Sequence, residues 1–205
     1  MFNEFKINPK VSNAINEGRP LVALESTLIS HGLPYPENLK VANESIKAVE
    51  ESGSVAVTIG IIKGEIKIGL EDKDIEILAT SKNVEKVSLH NIALSIYEKK
   101  NAATTVATTI NIASKIGINF FATGGIGGVH LGGEKNNDVS ADLTELSRNK
   151  IFVISSGAKS ILDLEKTFEK LETFGIPRIA YNSDYMPGFW YEETNYKVDK
   201  NFNNI

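Results

Sequence analysis

A short apolar run, Ile118-Asn119-Phe120-Phe121-Ala122, leads directly into the segment from Thr123 to Gly133, which reads TGGIGGVHLGG. Six of those eleven residues are glycine, out of sixteen in the whole chain. The apolar run reads as a buried strand. The segment after it cannot continue as a strand or become a helix, because each glycine inside a regular element costs roughly 0.5–1 kcal/mol relative to alanine. The chain must therefore leave the sheet here as a loop whose backbone comes close to something. Two readings stand: a close approach to a bound ligand, or a tight turn for close packing. Residues able to do chemistry follow it in His130, Asp138, Ser140, Asp142 and Lys159.

The pattern on either side fixes the fold class. Leu21 to Leu24 reads as a second short strand, which delivers Glu25, Ser26 and Thr27 at its end. Pro36 suits the first turn of a helix, and Leu39, Ala42, Ile46 and Val49 recur at helical spacing as far as Glu51, where Gly53 stops it. Val55 to Ile62 and Ile66 to Leu70, joined at Gly64, predict a hairpin. Short helices are expected over Asp72 to Ala79 and, built from small residues, over Thr104 to Ile116. Beyond the glycine loop come a helix from about Ser140 to Arg148 and a strand over Ile151 to Ile154. A further helix has Ile161, Leu164, Phe168 and Leu171 on its apolar face, and a strand follows over Ile179 to Tyr181. Strands alternating with helices predict an α/β fold, layered α/β/α around a mostly parallel central sheet. At this length one domain over residues 1–205 is expected. Ligands in such sheets bind beyond the carboxyl ends of the strands. Glu25, the loop from Thr123, and Ser155 to Lys159 all occupy such ends.

Composition narrows the class of function. A net charge of −4 argues against a general nucleic-acid surface. No apolar run approaches the roughly eighteen residues of a membrane helix, and MFNEFKINPK lacks the apolar stretch of a secretory signal. The absence of cysteine removes disulfides and thiolate metal sites. The expectation is a cytoplasmic protein with a small-molecule ligand, and neither nucleic acid nor membrane as partner. Arg19, Arg148 and Arg178 are the only arginines, so an anionic ligand would rely on lysines, hydroxyls and backbone N–H groups rather than guanidinium forks.

The candidate residues each carry two readings. The glycine loop is not a P-loop, since no Gly-Lys-Ser/Thr follows, and Gly125-Ile126-Gly127-Gly128-Val129-His130 lacks the third glycine of a dinucleotide fingerprint. Lys159 is either a solvated lysine or, at a strand-to-helix junction, an amine that the helix terminus keeps from being a comfortable cation. A neutral amine is what imine formation needs. Lys86 is a second such candidate or an exposed strand lysine. Glu25 is either a partly desolvated general acid or a capping, salt-bridged carboxylate. His31 and His130 lie beside glycines in expected loops, whereas His90 reads as a surface residue. Ser140 is a plausible N-cap. Asp138 and Asp142 offer the hard oxygens that suit Mg²⁺ or Mn²⁺, although two acids four apart are a weak metal signal. The aromatic cluster Phe189-Trp190-Tyr191 either packs on the core, meets another subunit, or met residues beyond the chain.

Taken in order, Val22-Ala23-Leu24-Glu25-Ser26-Thr27 with Ile29-Ser30-His31-Gly32, Ala103 to Ala107, Phe121 to His130, Ser140 to Leu143, Gly157 to Leu164 and Leu171 to Gly175 resemble the pseudouridine-5'-phosphate glycosidase family, which includes the indigoidine synthase A-like proteins. The likeness runs from about Asn8 to Phe189. It implies that Lys159 is the nucleophile that opens the ribose ring and holds it as an imine, and that Glu25 donates a proton. It also implies substrate contacts from Lys86, the backbone at Val106, and Ser140-Ala141-Asp142, with His130 near the sugar. Asp138 would hold a manganese ion largely through water. The implied reaction is reversible, between pseudouridine 5'-phosphate plus water and uracil plus ribose 5-phosphate, in a homotrimer. The chain departs from the family at Leu89-His90-Asn91-Ile92-Ala93, where Arg-Arg-Asp-Leu-Pro is usual. Family members also continue past the position of Ile205, so part of the family fold is expected to be absent. Both departures leave open an alternative: a non-catalytic sugar-phosphate-binding protein.

Overall fold

The structure, a computed structural model, describes residues 5–132 and 137–204. Gly133, the last glycine of the run, therefore lies outside the described residues. The chain forms two compact units, Met1–Ala122 with Ile151–Val153, and Thr123–Lys150 with Ile154–Ile205.

The first unit carries a mixed sheet. Its elements are β1 (Phe5–Ile7), α1 (Pro9–Asn16), β2 (Leu21–Leu24), a π-helical turn (Leu28–Gly32), α2 (Glu37–Glu51), β3 (Val55–Ile62), β4 (Glu65–Ile68) and α3 (Asp72–Thr80). They are followed by β5 (Glu85–Val87), α4 (Ile92–Tyr97), β6 (Ala102–Thr104), α5 (Val106–Lys115), β7 (Phe120–Ala122) and, later, β8 (Phe152–Ile154). The sheet runs β1-β4-β3-β2-β7-β8, with β6 on β3 and β5 on β6. The β1–β4, β2–β3, β2–β7 and β5–β6 pairs are parallel, and β3 is antiparallel to β4 and β6. The sheet is thus largely parallel, as the alternation of elements predicts. β3 makes this possible by length: Val55 to Thr58 pair with β2, and Ile59 to Ile62 pair with β4. All but one of its eight residues are buried, so it reads as a continuous apolar run rather than an alternating one.

The π-helical turn, α2 and α3 share an apolar cluster with the sheet. Ile29 of the π-helical turn, Ala42 of α2, and Ile75, Leu78 and Ala79 of α3 pack together with Ile62, and Leu39, Ile46 and Leu70 lie against them. Each fully buried Ile or Leu is worth roughly 1.5–3 kcal/mol of transfer free energy. The hairpin, α2 and α3 fall where the sequence places them, within a residue or two. The small-residue helix does not begin at Thr104. Ala102–Thr104 is a strand, and α5 starts at Val106 with Thr105 as its N-cap, its Oγ1 accepting from the Thr108 N–H.

The second unit holds the glycine loop, α6 (Ala141–Arg148), α7 (Leu164–Thr173) and a parallel pair, β9 (Ile179–Tyr181) with β10 (Lys200–Phe202). Ser140 caps α6, as expected. α7 starts later than its apolar spacing suggests. Asp163 is the N-cap, so Ile161 lies outside the helix and is 62% exposed. Arg178 ties the two short strands together, donating from Nε and Nη2 to the Asp199 carboxylate at 3.2 and 2.9 Å. That contact holds the Asp199 carboxyl below its usual range. Phe168 of α7 packs edge-on against Tyr196, with ring centroids 5.0 Å apart.

Candidate functional site

In the first unit, strand pairing and buried hydroxyls link the backbone segments that carry Glu25, Lys86 and Val106. Glu25 is the half-buried residue immediately after β2. Its successor Ser26 is fully buried, donates from Oγ to the Ile59 carbonyl at 2.7 Å and accepts from the Thr104 N–H at 2.9 Å. Thr27 Oγ1 donates to the Thr104 carbonyl at 2.7 Å. Thr104 Oγ1 donates to the same Ile59 oxygen at 2.8 Å. The Thr105 N–H then reaches the Val87 carbonyl at 3.0 Å, and Thr108 Oγ1 reaches it at 2.9 Å. Lys86, exposed on β5, pairs in register with Ala103. Val106, the first residue of α5, is buried.

The departure at Leu89 to Ala93 keeps a brace beside Lys86. Asn91 Oδ1 accepts from the Ser88 N–H at 2.8 Å, and its amide donates to the Lys86 carbonyl at 3.2 Å. Glu85, next to Lys86, accepts from Ser95 Oγ at 2.8 Å and lies 3.1 Å from Lys100 Nζ. The Ser95 hydroxyl first and the Lys100 ammonium second hold the Glu85 carboxyl below its usual range. His90 is exposed.

His31 sits in the π-helical turn rather than in an irregular loop, with Nδ1 2.6 Å from Ser30 Oγ. Partial desolvation first, and then the positive charge of Lys86, lower its pKa, against a hydrogen bond to the Val84 backbone that raises it. The fold therefore disfavours the imidazolium. That penalty is present at pH below the lowered midpoint and vanishes above the ordinary value of about 6.5. Stability is expected to rise with pH between those two points. Lys86→Gln is expected to move the His31 midpoint back up, read from the His31 ring proton shifts in an NMR titration. An unmoved midpoint would mean that Lys86 does not act on His31.

In the second unit the glycine loop organises the remaining candidates. The Lys159 N–H donates to the Ile126 carbonyl and the Ile126 N–H to the Gly157 carbonyl, both at 3.0 Å. Lys159 is half-buried. It precedes the Asp163 cap of α7 by four residues, so the helix terminus on which the expectation of a neutral amine rested is not at this residue. The His130 N–H donates to the Asp138 carbonyl at 3.0 Å, and the Ser140 N–H to the Gly128 carbonyl at 2.9 Å. Asp142 is buried, and its Oδ2 accepts from the Gly127 N–H at 2.7 Å. Ala141, the first residue of α6, is half-buried.

Much of the glycine content is explained by these contacts. A Cβ on Gly125 would lie 2.6 Å from the Phe189 ring, one on Gly127 2.3 Å from Ser140 Oγ, and one on Gly128 2.4 Å from Thr167 Oγ1. The close neighbours that the run calls for are thus, at these three positions, the protein's own side chains. Phe189 packs on the loop, whereas Trp190 and Tyr191 are exposed. Gly157 is more constrained still, with φ +91° and a Cβ position 2.3 Å from the Pro187 carbonyl oxygen. Gly157→Ala is expected to cost about 3 kcal/mol or more from backbone strain and overpacking. Gly124→Ala, which meets nothing within 4 Å, is expected to be nearly neutral. Urea unfolding of the two variants checks this, and equal midpoints would count against the packing account.

The metal expectation meets one carboxylate. Asp138 is exposed, and its oxygens suit a hard cation that keeps most of its waters. Among the described residues, no group of three or more His, Asp or Glu is placed to hold a metal ion. Asp138 therefore fits attachment of a hydrated ion that keeps most of its waters. Among the described residues, no helix is long and apolar enough to cross a membrane.

Sequence reasoning missed the hydroxyl network of Ser26, Thr104, Thr108 and Thr109. The available signal was the density of Ser and Thr at the ends of two strands.

The family model for indigoidine synthase A-like proteins matches residues 10–205. The chain is 52% identical over 189 residues to a protein from Staphylococcus aureus named pseudouridine-5'-phosphate glycosidase, covering 92% of this chain and 62% of that one. A protein of the same name from Solibacter usitatus is 50% identical, with 94% and 64% covered. The chain thus spans less than two thirds of the length of these relatives. Among solved structures, the prealnumycin C-glycosynthase AlnA, in complex with ribulose 5-phosphate, superposes with a TM-score of 0.91 at 39% identity, covering all of this chain and 66% of that one. An indigoidine synthase A-like protein from Thermotoga maritima gives 0.88 at 37%, covering all of this chain and 67% of that one.

Proposed function

This chain belongs to the indigoidine synthase A-like family, and on that premise we propose that it cleaves the C–C glycosidic bond of pseudouridine 5'-phosphate, giving uracil and ribose 5-phosphate. The observation that carries the reading is that Lys159 and Glu25 both stand at matching motif positions of a chain about half identical to proteins named for that activity. A carbon-linked uracil has no glycosidic nitrogen to protonate, so acid alone does not release it. An amine at C1′ removes the difficulty. Lys159 Nζ attacks C1′ and the C1′–O4′ bond breaks, with the ring oxygen taking a proton from Glu25. The attacking nitrogen gives up a proton, and its lone pair then forms C1′=N while the bond to uracil C5 breaks and C5 takes up that proton. Water adds to the imine, freeing ribose 5-phosphate and the amine.

Lys86, Val106, His130, Ser140, Ala141 and Asp142 are the proposed substrate contacts. Asp142 would act largely by fixing the Gly127 amide, which it already holds. Asp138 would hold a hydrated Mn²⁺, which when bound would supply positive charge for the phosphate. We further propose a cytoplasmic homotrimer, which light scattering in solution tests. The defining experiment is uracil release from pseudouridine 5'-phosphate with Mn²⁺, together with borohydride trapping of ribose 5-phosphate on Lys159. Absence of both results in folded protein would overturn the reading. Calorimetric binding of ribose 5-phosphate without turnover would favour a sugar-phosphate-binding protein instead.

A further inference from the structure

Three hydroxyls inside the first unit are completely buried and share one hydrogen-bond cluster: Ser26, Thr104 and Thr109. Ser26 Oγ and Thr104 Oγ1 both donate to the Ile59 carbonyl, at 2.7 and 2.8 Å, and lie 3.3 Å apart. Thr109 Oγ1 donates to Thr104 Oγ1 at 3.0 Å. Ser26 Oγ also accepts the Thr104 N–H at 2.9 Å. Buried hydroxyls carry a desolvation cost that alanine or valine would avoid, so packing alone does not account for a cluster of them.

Their place in the chain suggests what they secure. Ser26 directly follows Glu25, and Thr104 stands two residues before Val106. The Leu24 side of Glu25 is fixed in the sheet by pairing with Thr58 and Ala122. On the other side, Ser26 and Thr27 are both bonded to Thr104. The Glu25 backbone is therefore clamped from both directions. The same Thr104 leads through the Thr105 cap into α5. We propose that Ser26 and Thr104 are positioning residues that hold the Glu25 backbone in fixed relation to the amide at Val106. This rests on the glycosidase reading above, which makes Glu25 the acid and Val106 a substrate contact.

The test compares Thr104→Val with Thr104→Ser in the full chain, through kcat and KM for uracil release and through thermal unfolding. Valine keeps the volume and loses the hydroxyl. Serine keeps the hydroxyl and loses a methyl group. A purely packing role predicts that serine is the worse variant. Positioning predicts the reverse: T104V loses kcat by about tenfold to a hundredfold, the scale of a small misplacement of a catalytic group, with KM within about twofold. T104S stays within about threefold of the parent chain. Equal losses in the two variants, or a T104V kcat like the parent's, overturns the inference and leaves the glycosidase reading standing. A parent chain that neither releases uracil nor traps ribose 5-phosphate overturns both. Should T104V not fold, Ser26→Cys decides: it fills similar space with a poorer hydrogen-bond donor, so unchanged kcat overturns the inference and a tenfold loss supports it.

Discussion

Lys159→Arg is expected to reduce uracil release at least about a thousandfold, the scale on which removal of a covalent nucleophile acts, and to abolish trapping of ribose 5-phosphate by borohydride. Arginine keeps the positive charge and much of the side-chain length. Its guanidinium is not deprotonated in proteins, so it offers no lone pair to C1′. The fold should tolerate the change, because Lys159 is held through its backbone N–H on the Ile126 carbonyl rather than through its side chain in the core. Mass spectrometry of the trapped adduct reads the site directly. Trapped sugar on Lys86 in the parent chain, or near-normal turnover in the variant, would move the nucleophile elsewhere.

Glu25→Gln is expected to lower kcat by about a hundredfold to ten-thousandfold, the usual contribution of a general acid, while leaving the trapping of ribose 5-phosphate on Lys159 intact. The asymmetry follows from the proposed steps. Opening the ring of pseudouridine 5'-phosphate needs a proton at O4′, whereas ribose 5-phosphate already presents an open aldehyde in solution. Glutamine preserves the shape of the side chain and removes the acidic proton. Loss of trapping together with turnover would assign Glu25 to binding rather than to proton transfer.

Local signals were read correctly where they act over a few residues. The β3–β4 hairpin, α2 and the Ser140 cap of α6 rest on periodicity, a glycine turn and a hydroxyl at the right offset, and each lies where those signals put it. Asn8-Pro9 carried the cap and first-turn signature of α1, in which Asn8 accepts from the Lys10 N–H. That helix is legible in those two residues. The strand Ala102–Thr104 was not legible, because alanine and threonine give neither a strand period nor bulk to distinguish it from the helix that follows. Apolar spacing puts the start of α7 too early, because Ile161 fits the spacing but is exposed.

The glycine loop shows where local reading ends. By itself the sequence determined that the backbone must leave the sheet after Ala122 and come close to a neighbour, since glycine density is intolerable in a regular element. It also placed Lys159 and Glu25 beyond strand ends, because short apolar runs mark the strands. Only the tertiary structure decided that Phe189, Ser140 and Thr167 are neighbours of that loop, that Asp142 is buried on the Gly127 amide, and that Ser26 meets Thr104 across 78 residues. The physical reason is range. Propensities and caps act within a turn or two, whereas a buried hydroxyl or carboxylate takes whichever partner the pairing of distant strands and loops brings to it.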